Sequence, residues 1–375
     1  MTREPLLPLR PELRGIEPYG APQLDVPVLL NVNENPYGPS PAVVAEIAAR
    51  VAAAASGLNR YPDRDFPQLR GALAGYLTRE SGIAVAADQV WAANGSNEVM
   101  LHLLQAFGGP GRTALSFAPT YSMYPEYARD THTRWVTGKR ETDFTIDLDH
   151  ALETIAAHQP SVILLTSPNN HTGTSLSLKL VEAVCEAALR VDVDGAPAVV
   201  VVDEAYGEFR RAGVPSALRL LERFTNLAVS RTMSKAFALA GARLGYLAAH
   251  PRLVDALRVV RLPYHLSGVT QATALAALAH ADELLAQVDA LRAERDATVT
   301  WLQQQTVDGA PLVVAESDAN FVLFGTFADR HAVWQGLLDR GVLIRETGPD
   351  GWLRVSIGTP QEMAAFRAAL VEVAL

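Results

Sequence analysis

The sequence predicts an α/β protein with a large, mostly parallel sheet domain followed by a smaller α+β domain. Short β-branched or aliphatic runs alternate with longer alanine- and leucine-rich segments, the pattern of strands covered on both faces by helices. Near Leu262, Pro263 and His265 that alternation gives way to a long alanine-rich stretch. The chain has 375 residues, 49% of them hydrophobic and 19% charged. That is enough for a folded core and about two and a half typical domains.

In chain order, Val90 to Ala93, Thr113 to Phe117, Val162 to Thr166, Val199 to Asp203, Leu227 to Ser230 and Leu244 to Ala248 read as strands. Glu98 to Phe107 and Leu178 to Leu189 read as helices between them, and Ala52 to Ala55 is also helical in composition. After the boundary, Gln271 to Ala297 reads as one or two helices, and Phe321 to Phe324 and Leu353 to Ile357 as further strands. The expected division is an N-terminal arm over 1–29, a large domain over 30–265 and a small domain over 266–375.

A net charge of −9 offers no footprint for nucleic acid or anionic lipid, so small-molecule partners are expected. The first twenty residues mix charges and prolines without a continuous apolar core, which argues against a signal peptide. Runs free of formal charge are broken by proline, histidine, asparagine or glutamine, which argues against a membrane span. The single cysteine, Cys185, cannot form an internal disulfide and reads as a buried small hydrophobe. A cytoplasmic location is expected. No HxxxH or HExxH pairing suggests a metal, and neither G-x-G-x-x-G nor G-x-x-x-x-G-K-[ST] is present.

Only three of the 32 basic residues are lysines, namely Lys139, Lys179 and Lys235. Lys235 follows a strand within Arg231-Thr232-Met233-Ser234-Lys235-Ala236-Phe237, ringed by small and apolar residues. Desolvation there lowers an amine's pKa and makes it a nucleophile for Schiff-base chemistry; the alternative is a snorkelling surface lysine. Asp203 ends the apolar run Val199 to Val202, at the sheet edge where ligands sit. A buried acid there suits a cationic partner such as a pyridinium, or alternatively caps a helix. Asn94-Gly95-Ser96-Asn97 joins a strand to a helix and offers backbone N–H groups to a phosphate, although any such turn reads this way. The Ser167 to Gly173 loop brings side-chain amides to the same edge, and Arg243 could add a charge-assisted phosphate contact.

Asn94-Gly95-Ser96-Asn97, Pro119-Thr120-Tyr121, Pro168-Asn169-Asn170, Asp203-Glu204-Ala205-Tyr206 and Ser234-Lys235-Ala236-Phe237 with Arg243 together resemble the fold-type-I pyridoxal-phosphate aminotransferases in order and spacing. Leu30 to Gly38, Asn59-Arg60-Tyr61-Pro62, Leu343-Ile344-Arg345 and Leu353 to Gly358 narrow the resemblance to the histidinol-phosphate aminotransferases. The likeness runs from about residue 16 to 360.

The resemblance implies pyridoxal 5'-phosphate as cofactor, joined to Lys235, which also shuttles a proton once displaced by substrate. Asp203 would keep the pyridine nitrogen protonated, Tyr206 and Asn170 would hydrogen-bond the 3-oxygen, and Tyr121 would stack on the ring. Gly95, Ser96, Asn97, Thr232, Ser234 and Arg243 would hold the phosphate, and Tyr61 would reach the phosphate of a neighbouring subunit, which implies a homodimer. Arg345 and Arg354, with Tyr19, would clamp the phosphate of histidinol phosphate and a carboxylate of glutamate. The implied reaction is transamination between L-histidinol phosphate and 2-oxoglutarate. Transamination of aromatic amino acids or decarboxylation of phosphothreonine on the same scaffold are alternatives, and a non-catalytic cofactor-binding regulator is a more distant one.

Two positions depart from the family pattern. Asn97 stands where many members have aspartate, with little effect expected because the backbone makes the phosphate contact there. His171 replaces the usual proline, and the expectation is that the Asn170–His171 peptide nevertheless keeps the cis form of the family's Asn-Pro bond.

Overall fold

The computed structural model describes residues 7–374; the first six residues of the expected N-terminal arm, and Leu375, lie outside the described residues. Seven strands form one sheet in the order Val90–Ala93, Gly245–Ala249, Leu227–Thr232, Val199–Asp203, Val162–Thr166, Thr113–Ala118, Arg134–Lys139. All neighbours are parallel except at Gly245–Ala249, which runs antiparallel to both partners. The strands expected from apolar runs are present, Val90–Ala93, Val162–Thr166 and Val199–Asp203 with the expected bounds and the others differing at their ends by a residue or two. Arg134–Lys139 carried no such expectation. It is an edge strand with Arg134, Thr137 and Lys139 exposed, so it lacks the continuous apolar run of a central strand.

Helices cover both faces, and several of them start on a side-chain cap. Ser40, Ser177 and Ser267 accept from the backbone N–H groups of Val43, Leu180 and Thr270 at the heads of Pro41–Ala55, Leu178–Ala188 and Gly268–Ala279. The alanine-rich stretch forms two helices, Gly268–Ala279 and Ala281–Gln303, broken at His280. Gly268–Ala279 packs against Pro41–Ala55 and Pro67–Ser81, so its packing partners belong to the part of the chain expected to form the large domain. Ala281–Gln303 spans the two parts: Arg295, fully buried, donates to Phe209 O at 2.7 Å and to Ala319 O at 3.3 Å.

The second sheet is antiparallel and four-stranded, in the order Val313–Val314, Phe321–Gly325, Leu353–Ser356, Arg345–Glu346. The segment before Asn31 is stitched to this part: Val28–Leu29 pairs in parallel with Val342–Leu343, and Ser356 N donates to Leu30 O at 2.9 Å. Asn31 to Glu34 is thereby laid across the carboxyl edge of the large sheet.

Behind that edge lies a buried ion network. Arg231 donates to Glu204 at 2.9 Å, to Glu208 at 2.9 Å and to Glu80 at 3.2 Å, while Glu204 also accepts from Ser216 and from Ala217 N. Gly207 leaves room for this guanidinium, since a Cβ there would lie 2.7 Å from its central carbon.

Candidate active site

Parallel register places the reactive groups. Thr166, Asp203 and Ser230 are lateral neighbours at the carboxyl ends of their strands, so Asp203 opens into a cavity of about 360 Å³ between the two sheets. Its Oδ2 accepts from the Tyr124 hydroxyl at 2.8 Å and its Oδ1 from Ala205 N at 3.2 Å. Burial pushes this carboxyl up to about 6, against the lowering by those two hydrogen bonds.

Two residues beyond the strand Leu227–Thr232, Ser234 leads into Lys235, whose Nζ donates to Val32 O at 2.9 Å. Burial, then the charges of Arg354 and Arg243, brings the amine down to about 8, with Glu34 opposing. Tyr206 lies beside it, its hydroxyl accepting from Asn170 Nδ2 at 2.8 Å and from Asn33 Nδ2 at 3.0 Å. With both of those amides donating to its oxygen, the phenol keeps its own O–H to donate.

At one end of the cavity the helix Ser96–Phe107 begins after Gly95, which has φ 84 and ψ 163 and supplies no side-chain cap to the first N–H groups. Glu98 holds the preceding turn by accepting from Asn94 N at 2.6 Å and Asn94 Nδ2 at 2.8 Å. A Cβ on Gly95 would lie 2.4 Å from Arg243 Nη2, and one on Gly245 would lie 2.1 Å from Ser96 N. Both glycines keep open a cradle of helix N–H groups, the Thr232 and Ser234 hydroxyls, which are 3.0 Å apart, and the Arg243 guanidinium, 3.4 Å from Ser234 Oγ. A cradle of backbone N–H groups, hydroxyls and a guanidinium at a helix N-terminus suits a phosphate.

At the other end, antiparallel register sets Arg345 opposite Arg354. Arg354 is buried, donates to Asn170 O at 3.0 Å and Asn31 O at 3.2 Å, and lies 5.0 Å over the Phe321 ring. Its Nε, buried, has no partner among the described residues. Tyr19 lines the same cavity.

The aminotransferase class I and II family model matches residues 26–370. The chain belongs to the class I and II aminotransferases. It is 62% identical over 367 residues to histidinol-phosphate aminotransferase 3 of Burkholderia lata, covering 98% of this chain and 96% of that one. It is 60% identical over 372 residues to the histidinol-phosphate aminotransferase of Bifidobacterium longum, with 98% and 96% covered. The fold matches the crystal structure of histidinol-phosphate aminotransferase from Sinorhizobium meliloti in complex with pyridoxal-5'-phosphate, with a TM-score of 0.82 at 23% identity over 99% of this chain and 98% of that one.

In this aminotransferase the cavity gathers Tyr19, Ser96, Asn97, Tyr121, Asn170, Asp203, Tyr206, Thr232, Ser234, Lys235, Arg243, Arg345 and Arg354, with Gly95 at its rim. Tyr61 stands apart. It is 80% exposed and stacks on Tyr264 at 4.5 Å, away from the cavity of its own chain. Lys139 and Lys179 are exposed, and Cys185 is buried, as expected of it. The Asn97 side chain has a definite task, accepting from the Tyr121 hydroxyl at 3.1 Å.

The expectation for His171 is overturned. Among the described residues the cis peptides are Ala118–Pro119, Ser167–Pro168 and Gly325–Thr326, so Asn170–His171 is trans. Proline is what makes a cis bond inexpensive, and Asn170 reaches Tyr206 without it. His171 instead faces Thr347, with Nδ1 3.3 Å from its hydroxyl, and burial followed by the charges of Arg354, Arg345 and Arg140 brings its ring down to about 4. Sequence reasoning assigned no role to Asn33, Tyr124 or Thr347. Asn33 lies in a segment already singled out, whereas nothing local distinguished the other two.

Proposed function

We propose that this chain transfers an amino group between L-histidinol phosphate and 2-oxoglutarate with pyridoxal 5'-phosphate as cofactor. The observation that carries the reading is one amine, Lys235, brought down to about 8 and lying in a single cavity with an anion cradle, a buried acid and a pair of arginines. The names of relatives at 62% and 60% identity support the choice of substrate.

The residues fit the cofactor. The cradle formed by Gly95, Ser96, Asn97, Thr232, Ser234 and Arg243 takes its phosphate, Asp203 a protonated ring nitrogen, Tyr206 and Asn170 its 3-oxygen, and Tyr121 a ring face. When bound, pyridoxal phosphate supplies a carbonyl for the substrate amine and an electron sink for the Cα–H bond. Lys235 accepts and returns the proton at the substrate's Cα, for which an amine near neutrality is suited. Asp203 holds the proton on the ring nitrogen. Arg345 and Arg354, with Tyr19, bind the phosphate of one substrate and a carboxylate of the other, because both are multidentate oxyanions that guanidinium forks meet equally well.

We assign the exposed face around Tyr61 to a second copy of the chain. Leu58 and Leu262, near in sequence to the stacked Tyr61 and Tyr264, are 58% and 73% exposed, and Tyr61 at 80% exposed can enter the partner's cradle. No described helix is long and apolar enough to cross a membrane, and we place the enzyme in the cytoplasm, in keeping with its single buried cysteine.

The test is to follow glutamate formation by the purified protein given histidinol phosphate and 2-oxoglutarate, and to compare specificity constants with phenylalanine and phosphothreonine. The expected result is a clear preference for histidinol phosphate. A preference for either alternative, or no glutamate, would overturn the proposal.

A further inference from the structure

Tyr124 is fully buried at the start of the helix Tyr124–Asp130, and its hydroxyl meets two groups, Asp203 Oδ2 at 2.8 Å and Thr166 Oγ1 at 3.0 Å. Thr166 Oγ1 lies 3.0 Å from Thr120 Oγ1, which is 3.4 Å from Ser116 Oγ. The direction of these bonds follows from proton counting. An ionised carboxylate only accepts, so Tyr124 must spend its one hydroxyl hydrogen on Asp203. Thr166 must then donate to Tyr124, Thr120 to Thr166, and Ser116 to Thr120. Every hydroxyl in the series points its hydrogen toward the carboxylate, and each bond polarises the next.

We propose that Tyr124 is a positioning residue, the last member of a hydroxyl relay that keeps Asp203 ionised and holds the plane of its carboxylate. Ala205 N occupies one lone pair of Oδ1 and Tyr124 one of Oδ2, so tilting the carboxylate out of its plane strains both bonds. Burial alone drives this acid toward its neutral form, and a neutral Asp203 cannot hold a pyridinium proton. Tyr124, Thr120 and Ser116 oppose that drift from outside the cavity lining, while Thr166, beside Asp203, lines the cavity itself. This rests on the cofactor reading of the preceding section.

Two measurements on the full chain test it: the dissociation constant of pyridoxal phosphate, and the titration midpoint of the Asp203 carboxyl by isotope-edited infrared spectroscopy in cofactor-free protein. Tyr124→Phe keeps the ring and removes the hydroxyl. Loss of one charge-assisted bond is expected to weaken cofactor binding roughly ten- to a hundredfold and to raise the carboxyl midpoint. Thr166→Val should raise the midpoint by less, and should not move it further once Tyr124→Phe is present, since the relay then no longer reaches Asp203. A merely structural role predicts additive effects and an unmoved midpoint, and either result would overturn the proposal. Should Tyr124→Phe fail to fold, Thr120→Val and Thr166→Val must each raise the midpoint and combine non-additively; independent or null effects refute the relay. Failure of the wild-type chain to bind pyridoxal phosphate would count against the functional reading, while the infrared midpoints would still decide the relay.

Discussion

Arg354→Gln separates charge from packing at the substrate end of the cavity. The native guanidinium is buried, donates to Asn170 O and Asn31 O, and stands 5.0 Å over Phe321. Glutamine retains an aliphatic stem and an amide donor that can keep one of those carbonyls satisfied, so the main loss is the positive charge. An oxyanion deprived of one charged partner loses about 1.5–3 kcal/mol, which is roughly a ten- to hundredfold fall in kcat/KM. Both half-reactions should suffer, because the same fork meets a phosphate in one and a carboxylate in the other. A second consequence is independent of turnover. After burial, Arg354 is the foremost influence holding Lys235 down at about 8, so the variant's amine should titrate closer to the ordinary lysine value of 10.5. Steady-state kinetics with each substrate measure the first effect, and competitive labelling of Lys235 in cofactor-free protein measures the second. Unchanged specificity constants for both substrates would refute the clamp, and an unmoved Lys235 titration would refute the electrostatic coupling.

Gly95→Ala forces a side chain into φ 84, ψ 163, a region open essentially to glycine, and pushes against Arg243 Nη2 at 2.4 Å; chemical denaturation should show a loss of about 1–3 kcal/mol, and cofactor affinity should fall as Arg243 leaves the cradle. In cofactor-free protein Lys235 titrates near 8 when folded and near 10.5 when unfolded, so the unfolded chain binds more protons between those values and stability should rise with pH across that window; Lys235→Met should abolish this component in pH-dependent denaturation curves. Arg231→Met leaves Glu204 and Glu208 buried without their shared cation and should cost about 3–5 kcal/mol, seen as a lower denaturation midpoint.

The sequence by itself determined the central strands and the chemical cast. Val199–Asp203 is legible because a strand buried on both faces must be apolar throughout, and its terminal acid is conspicuous for that reason. Lys235 stands out because the chain has so few lysines, and Gly95 because a strand turns there into a helix that no side chain caps. What the tertiary structure decided lies in contacts between distant segments. Arg134–Lys139 gave no signal because an edge strand is specified by the neighbour it pairs with, here Thr113–Ala118, more than by its own pattern. Tyr124 is one of ten tyrosines, and only the parallel register that sets Thr166 beside Asp203 turns its hydroxyl into a partner for that acid. Asn170–His171 is trans because the isomer answers to local cost, and the asparagine amide meets Tyr206 without a cis bond. Residue types and local spacing can announce which groups carry chemistry, but hydrogen-bond direction, burial and the pKa values that follow from them depend on which strands become neighbours.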